Sequence, residues 1–296
     1  MMMPDREAAV VALGMFDGLH IGHRALLARC RALAETLGAL PAAYTFLNHP
    51  QTVLSAAGPA RLLGAQEKRA MMEALGIGCV CMEPFTRELA ALSPEGFIQR
   101  LAARWELRAL VAGFNYSFGR DGAGGPETLR ELGARYGFRA EVLGPVLFKG
   151  EPVSSTRIRS LLEDGDARAA ADMLGAPYTL CGRVVKNRQI GRRIGFPTAN
   201  IAPEPGRVLP AEGVYASEAR VGDASWRAVT NVGKNPTVGG GRLSIETHLI
   251  GFDGELYGRE LRVSFLARLR GETRFPSEEA LRRQIALDVA AAKALP

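Results

Sequence analysis

The chain has 296 residues, of which 47% are hydrophobic and 23% are charged, and its formal net charge is +6. This near-average composition excludes collagen-like, coiled-coil and low-complexity proteins, and the length predicts two domains, each large enough to bury a core. No apolar run reaches the ~20 residues that a membrane helix needs, and the charged residues Asp5, Arg6 and Glu7 do not fit a secretory signal. We therefore expect a soluble, cytoplasmic protein that does not associate with a membrane.

Up to about residue 176, short apolar runs alternate with helical patterns. Leu26, Leu33 and Leu37 belong to an apolar stripe with 3.6-residue spacing, and Ser93 with Pro94 forms an N-cap and a first helical position. This alternation predicts a doubly wound parallel sheet. The predicted strands are Ala9–Leu13, Ala42–Phe46, Cys79–Met82, Ala109–Ala112 and Ala140–Leu143.

From Tyr178 onward the pattern changes to strands separated by Gly, Pro and Asp turns, which predicts an antiparallel barrel. A final helix is capped by Ser277 and carries the apolar stripe Leu281, Ile285 and Val289. We place a helical connector at 156–174 and the domain boundary near 175–177, giving domains 1–176 and 177–296. The predicted strands are Gly213–Val221, Trp226–Val232, Leu243–Ile250 and Leu261–Leu269.

The first strand runs into a glycine-rich turn, residues 14–23, with the sequence GMFDGLHIGH. Glycines allow a tight turn and close approach to a ligand, and the following helix N-terminus favours phosphate. His20 and His23 lie three residues apart at that terminus, so both can face one anion. The pattern predicts a nucleotide phosphate site at this turn.

A second phosphate-type motif follows the fifth strand, where the sequence SSTRIR begins at Ser154. It brings hydroxyls and two guanidinium groups to the start of another helix. Taken alone, the motif favours a capped surface helix that carries exposed arginines.

These motifs resemble the HxGH nucleotidylyltransferases, and the FDG form resembles the flavin adenylyltransferases. Thr45–Pro50 and Gly113–Gly119 are similar to two further blocks of that family, with Asn48 in place of its usual Pro and Tyr116 in place of Phe. Core packing is the structural alternative for the three aromatic residues of the second block. The resemblance implies that ATP is bound by Gly14, Phe16, Asp17, Gly18, His20, His23, Asn115, Ser155, Thr156, Arg157 and Arg159, and flavin by His49, Pro50, Phe114, Tyr116 and Phe118.

A basic, glycine-bearing segment, residues 182–195, opens the second half, and its window Arg183–Arg193 has five positive charges and no acid. Such a segment is either a solvated basic face or a loop over polyphosphate. The next residues, 197–200, read PTAN, and Thr198 and Asn200 present two oxygen ligands of the kind that Mg²⁺ accepts. Without its context, PTAN would also fit an ordinary turn.

Glu246 lies on a strand whose apolar residues occupy the opposite face, so its carboxylate is available as a general base. Taken alone, a glutamate in this position favours an ordinary exposed strand residue without a catalytic role. The surrounding strings, including Asn231–Thr237 and Ile245–His248, are similar to those of riboflavin kinases, although Asn187 occupies a position that is often Gly. The resemblance implies that Glu246 deprotonates riboflavin's terminal hydroxyl and that Asn231 and Glu246 contact the flavin. It also implies that Thr198 and Asn200 hold Mg²⁺, and that ATP is bound by Gly191, Arg192, Gly195, Pro197, Thr198 and Asn200.

The two sets of motifs occur in order over Val10–Asp288, so the chain resembles the bifunctional riboflavin kinase and FAD synthetase family. The implied chemistry is phosphorylation of riboflavin to FMN with release of ADP, then adenylylation of FMN to FAD with release of pyrophosphate. His20 and His23 would act in the second step. Oligomeric state is not readable from the sequence.

Two alternatives remain open. One is a single-activity enzyme, either a riboflavin kinase or an FAD synthetase, in which the other half of the chain is inactive. The other is a nucleotidyltransferase fused to a nucleic-acid-binding β module, suggested by the basic charge. Residues 1–176 contain 19 basic and 19 acidic residues, whereas residues 177–296 contain 18 and 12, so the whole excess lies in the second half. Aromatic residues do not interleave with the basic window as a stacking platform requires, so we expect no nucleic-acid partner.

Overall fold

The computed structural model describes residues 6–55, 57–185, 191, 195–234 and 243–295. The chain divides into two compact units, residues 1–155 and 156–296. The first contains a five-stranded parallel sheet, and the second contains a closed antiparallel barrel and a terminal helix. Both parts of the predicted fold class are confirmed.

The sheet of the first unit has its strands where the apolar runs predicted them. They are β1 (Ala8–Leu13), β2 (Leu40–Phe46), β3 (Cys79–Glu83), β4 (Glu106–Gly113) and β5 (Arg139–Leu143). All pair in parallel, in the spatial order β3, β2, β1, β4, β5. The winding direction therefore reverses between β1 and β4, and doubly wound sheets bind ligands beyond the carboxyl ends of the strands at this switch point.

Helices cover both faces of this sheet, because successive residues of a strand point to opposite sides. Val10 of β1 packs in one buried cluster with Leu27 and Met72, and Val11 packs in another with Ile98 and Leu129. The helices are α1 (Ile21–Leu37), α2 (Gln51–Leu54), α3 (Ala65–Ala74), α4 (Arg87–Ala90), α5 (Pro94–Arg104) and α6 (Pro126–Tyr136), and a short hairpin follows as β6 (Leu147–Phe148) and β7 (Glu151–Pro152).

The connector predicted at 156–174 is helical, and it consists of two helices, α7 (Ser155–Asp164) and α8 (Ala167–Leu174). Gly165 interrupts them with a left-handed φ of +85°, which favours glycine. The Asp166 carboxylate then accepts a 3.0 Å hydrogen bond from the backbone N–H of Ala169 and caps α8.

Six antiparallel strands close the barrel of the second unit. They are β8 (Tyr178–Val185), β9 (Ala199–Pro203), β10 (Gly213–Val221), β11 (Ala224–Lys234), β12 (Leu243–Leu249) and β13 (Glu260–Arg270). Their order around the barrel is β10, β11, β12, β9, β8, β13. The terminal helix α9 (Glu278–Ala294) begins at the predicted cap, Ser277, whose side chain accepts from the N–H of Ala280.

Buried hydroxyl groups cross three neighbouring barrel strands. The Ser217 and Thr230 hydroxyl oxygens are 2.7 Å apart, and those of Thr230 and Thr247 are 3.0 Å apart. All three side chains are fully buried, so each hydroxyl relies on these bonds in place of water. The hydroxyl chain fixes the register of β12, which carries Glu246 next to Thr247.

We expect Thr230→Val to destabilise the second unit, because it preserves the side-chain volume but removes the middle hydroxyl. Unpaired buried polar groups cost about 1–3 kcal/mol, and the free energy of unfolding should fall by about that amount in chemical denaturation. Thr36→Val is the control, since that hydroxyl is exposed and bonds its own helix, and it should change stability by less than ~0.5 kcal/mol. Equal stability of the two variants would contradict the role of the hydroxyl chain.

Candidate active sites

The loop between β1 and α1, residues 14–20, makes a tight turn at the switch point of the sheet. We call it the HxGH loop. Its backbone is left-handed at Phe16 (φ 52°), Gly18 (φ 83°) and Leu19 (φ 42°). Phe16 and Leu19 are not glycines, but both side chains are fully buried, so packing holds them in this costly conformation. A Cβ at Gly14 would lie 3.1 Å from the Phe16 ring, so glycine at this position leaves room for that ring.

The two predicted histidines lie face to face at the start of α1. His20 is the N-cap residue, and its Nδ1 accepts a 3.3 Å hydrogen bond from the backbone N–H of His23. The two rings stack with centroids 3.6 Å apart and planes 15° apart. A Cβ at Gly22 would lie 3.2 Å from the His20 ring, so glycine at that position leaves room for the imidazole. This steric role of Gly22 was not predicted from the sequence.

Both imidazoles are neutral at pH 7. Burial lowers the pKa of His20 to about 4, against an opposing effect of Asp17. Burial, then His20 and Lys68, holds the pKa of His23 well below its ordinary value. Since Nδ1 of His20 accepts, its Nε2 carries the proton and can donate. Nδ1 of His23 is buried and has no hydrogen-bond partner among the described residues.

Asp17 and Ser155 connect this loop to two other segments. The Asp17 carboxylate accepts hydrogen bonds from the backbone N–H groups of Leu62 (2.9 Å) and Leu63 (3.1 Å). The Ser155 hydroxyl donates to the Asp17 carbonyl oxygen at 2.8 Å. Ser155, at the start of the SSTRIR motif, therefore lies against the HxGH loop. Direct ATP contacts by Asp17, Thr156, Arg157 and Arg159 stay predictions.

The segment after β2, residues 47–50, lies at the same edge of the sheet as the HxGH loop. The Asn48 amide exchanges two hydrogen bonds with the backbone of Phe85, at 2.8 and 3.1 Å, which gives this departure from the family's Pro a structural role. His49 Nδ1 accepts from the N–H of Gln51 at 3.2 Å, and Pro50 precedes α2. His49 and Pro50 are half-buried candidates for flavin contact.

The segment after β4, residues 114–118, carries the three aromatic side chains that were predicted to contact flavin, and these differ in exposure. Phe114 is exposed, and Tyr116 is half-buried. Phe118 is 5% exposed and packs on Phe97 in the sheet core, with ring centroids 5.6 Å apart. Phe114 is therefore the ring most accessible to a ligand, whereas Phe118 supports the segment from below. Asn115 is exposed in the turn closed by the N–H of Tyr116 and the carbonyl of Gly113.

In the second unit, the barrel register aligns three predicted site residues. Glu246 on β12 lies directly opposite Asn231 on β11 and directly opposite Asn200 on β9. Directly opposite residues of antiparallel strands share a face and have Cβ atoms about 5 Å apart. The structure thus brings the candidate base, a candidate flavin contact and a candidate metal ligand into one row across three strands.

Glu246 and Asn231 of this row line a cavity of about 550 Å³ between the barrel and α9. Burial in its wall raises the pKa of Glu246, which makes the carboxylate a stronger base. His248 Nδ1 donates to the Pro197 carbonyl oxygen at 2.8 Å and thereby holds the PTAN segment against β12. The cavity is lined by Gly191, Phe196, Thr198, Val214, Val229, Asn231, Glu246, His248, Arg270, Glu272, Thr273, Arg274, Phe275, Leu281, Ile285 and Asp288.

An ion pair holds α9 against the barrel on the far side of this cavity. The Arg270 guanidinium donates from Nη2 and Nε to the Asp288 carboxylate, at 2.8 and 3.1 Å, and the carboxylate is almost fully buried. Gln284 adds a 3.0 Å bond to the same group. The sequence analysis did not predict this ion pair. The available signal was an acid at position 288 in the apolar stripe that includes Leu281 and Ile285.

Several predicted kinase residues lie outside the described residues, namely Arg192, Asn187 and residues 235–237. Of the other predicted ATP contacts, Thr198 borders the cavity, Pro197 is exposed, and Gly195 is exposed with a φ of +87°. Asn200 is 8% exposed, on β9. Thr198 and Asn200 supply neutral oxygen donors two positions apart.

Comparison with known proteins gives matches over both units. The family model described as FAD synthetase matches residues 2–157, and the model described as riboflavin kinase matches residues 174–295. The bifunctional riboflavin kinase/FMN adenylyltransferase of Pseudomonas fluorescens is 37% identical, with 99% of this chain and 95% of that protein covered. The chain belongs to the bifunctional riboflavin kinase/FMN adenylyltransferase family. The Escherichia coli K12 member is 35% identical, with 96% of this chain and 91% of that protein covered.

A solved structure also resembles this family member over its whole length. It is titled a macrolide-efflux protein from Streptococcus pneumoniae, with a TM-score of 0.91 and 29% identity, and covers 100% of this chain and 96% of that one. In the part of the chain that the structure describes, no helix has the length and apolarity needed to cross a membrane.

We expect the first unit of this family member to lose stability in acid because of His20. Its pKa of about 4 lies below the ordinary 6.5, so between these values the unfolded chain binds more protons than the folded one. At ~1.4 kcal/mol per pKa unit, the free energy of unfolding should fall by up to ~3 kcal/mol as pH drops through this range.

The measurement is NMR titration of the His20 ring, together with denaturation at several pH values. His20→Asn retains a side-chain acceptor for the N-cap and should make the pH dependence shallower by the contribution of His20, while that of His23 remains. A His20 ring that titrates near pH 6.5 would contradict the buried, neutral state.

Proposed function

We propose that the second unit phosphorylates riboflavin at the Glu246 cavity and that the first unit adenylylates the resulting FMN at the His20–His23 loop. The observation that carries the proposal is the row of Asn200, Glu246 and Asn231 in one unit and the stacked HxGH pair in the other. The two enzymatic family models, which match both parts of the chain, favour two activities over one. We assign residues 1–176 to the adenylyltransferase and 177–296 to the kinase, acting in the cytoplasm, where ATP is available.

In the kinase step, the Glu246 carboxylate accepts the proton of riboflavin's terminal hydroxyl. The oxygen attacks the γ-phosphorus of ATP, the bond between the γ-phosphorus and the bridging oxygen breaks, and ADP leaves. The raised pKa of Glu246 suits a base that must take up a proton during the reaction. Asn231, directly opposite on β11, is positioned to orient the same substrate.

The PTAN segment suits Mg²⁺ bound together with ATP. Thr198 and Asn200 offer two hard, neutral oxygens, and Mg²⁺ takes few protein ligands and fills its shell with water and phosphate. When bound, the ion would neutralise negative charge on the phosphates.

In the adenylyltransferase step, a phosphate oxygen of FMN attacks the α-phosphorus of ATP, and pyrophosphate leaves. The protein need supply no nucleophile, only positioning and charge stabilisation. His20 and His23 would donate to phosphate oxygens, and Arg157, Arg159 and the helix N-terminus would stabilise charge on the departing pyrophosphate. An adjacent polyphosphate would favour the protonated form of either imidazole.

The direct test is incubation of the purified protein with riboflavin, ATP and Mg²⁺, followed by chromatographic separation of the flavins. FMN should appear first and FAD second. Accumulation of FMN alone would contradict the adenylyltransferase assignment, and absence of FMN would contradict the kinase assignment. A second reaction supplied with FMN tests the adenylyltransferase independently of the kinase.

We expect Glu246→Gln to lower riboflavin phosphorylation by about 10²–10⁴-fold, since it removes the base while keeping the side-chain shape. Conversion of FMN to FAD should persist. Glu218→Gln is the matched control, because Glu218 is an exposed acid on β10 that does not line the cavity. Loss of both activities in folded Glu246→Gln would contradict the division of labour.

His23→Ala should have the opposite selectivity. Loss of one preorganised donor costs about 10²–10³-fold in rate, so FMN adenylylation should fall by that factor while riboflavin phosphorylation stays within twofold. Steady-state rates with FMN and with riboflavin measure the two effects on one preparation. Unchanged adenylylation would remove His23 from the reaction.

A further inference from the structure

One buried cation in the first unit lies outside every motif used so far. Lys68 is on α3 and is only 7% exposed, although lysine is rarely buried without partners. It shares the inward face of α3 with Met72, four residues later, so a lysine occupies a position that helical periodicity assigns to the core. Such a residue must bring specific hydrogen bonds to offset the cost of burying its charge.

The ammonium group of Lys68 has three acceptors within hydrogen-bond distance. Its Nζ lies 2.8 Å from the Phe46 carbonyl oxygen, 3.1 Å from the Met15 carbonyl oxygen and 3.3 Å from the Thr45 hydroxyl. The Thr45 hydroxyl in turn donates to the Met15 carbonyl at 3.0 Å. A lysine ammonium has three N–H donors, so donors and acceptors match in number.

These acceptors belong to the two segments that meet at the carboxyl edge of the sheet. Met15 is in the HxGH loop, directly before the left-handed Phe16. Thr45 and Phe46 end β2 and lead into the segment with His49 and Pro50. We propose that Lys68 is a positioning residue for FMN adenylylation. Its three hydrogen bonds join the HxGH loop to the segment that carries the predicted flavin contacts His49 and Pro50. The inference rests on the adenylyltransferase activity proposed above.

The positioning requires the charged form, because a neutral amine has only two N–H donors. Burial lowers the pKa of Lys68 to about 8, Asp17 opposes this shift, and Arg61 adds to it. His23, which also feels the Lys68 charge, is neutral in this range. Adenylylation should therefore decline as pH rises through about 8, when one of the three acceptors loses its donor.

Unfolding does not explain such a decline. The unfolded lysine keeps its proton up to a pKa of 10.5, so above pH 8 the unfolded chain binds more protons than the folded one. The contribution of Lys68 to the free energy of unfolding therefore becomes more favourable as pH rises from 8 to 10.5. Loss of activity without loss of fold is the signature of a positioning role.

The test compares wild type, Lys68→Met and Arg69→Met. Methionine preserves the length and apolar stem of Lys68 but removes its donors. Arg69 is the next residue on the same helix, is exposed, and forms a surface pair with Glu73, so Arg69→Met is the matched control. For each protein, kcat and KM are measured for conversion of FMN to FAD from pH 6.5 to 9.5, and riboflavin phosphorylation by the same molecule reports an intact second unit.

We expect Lys68→Met to lower kcat/KM for FMN adenylylation by about 10–100-fold and to lose the decline near pH 8, as expected when oriented groups are misplaced. Riboflavin phosphorylation should stay within twofold, and Arg69→Met should match wild type. Wild-type kcat/KM that stays flat through pH 8, or Lys68→Met with wild-type kcat/KM, would overturn the inference. Absence of FAD from the wild-type reaction would instead overturn the adenylyltransferase assignment.

If Lys68→Met does not fold, Thr45→Val gives a second test. It removes the hydroxyl that accepts from Lys68 and donates to Met15, but leaves both carbonyl acceptors in place. We expect a smaller loss of FMN adenylylation, about 3–10-fold, with the decline near pH 8 retained. Unchanged adenylylation in Thr45→Val together with a flat wild-type profile would overturn the inference without Lys68→Met.

Discussion

The hydrogen bonds that hold the strained loop between β1 and α1 are the constraint on which the first site depends. Phe16 and Leu19 adopt left-handed conformations that cost about 1–3 kcal/mol each, so the loop persists only where its surroundings over-determine it. Asp17 is fixed by the N–H groups of Leu62 and Leu63, and Lys68 fixes the Met15 carbonyl. These hydrogen bonds join the loop to the segment before α3 and to α3 itself, so the same contacts stabilise the fold and the site.

The second unit positions its candidate residues by register instead of by a strained loop. Antiparallel pairing places Asn200, Glu246 and Asn231 in a row, and a shift of one residue on β12 would turn Glu246 toward the buried face. The hydroxyl chain through Thr230 and Thr247 opposes such a shift from inside the barrel. On the outer side, the Arg270–Asp288 ion pair holds α9 over the cavity.

The sequence predicted what depends on local pattern. The five strands of the sheet, the caps Ser93 and Ser277, and the burial alternation around Glu246 follow from periodicity and capping, and the structure confirms each of them. Contacts between distant segments were not predictable, since pairing of Lys68 with Met15 and Phe46 arises only once the sheet has formed. The sequence contains a glycine at position 165, but it does not show that the backbone there is left-handed and separates two helices. Phe118 could not be assigned to the core or to a ligand contact without the fold.

A single chain would transfer two different phosphorus groups of ATP, each at its own site. Parallel reactions with riboflavin and ATP radiolabelled at either the γ- or the α-phosphate test it most directly. If the chain has both activities, the γ-label enters both FMN and FAD, whereas the α-label enters FAD alone. Label from the α-phosphate in FMN, or FAD that carries no α-label, would contradict it.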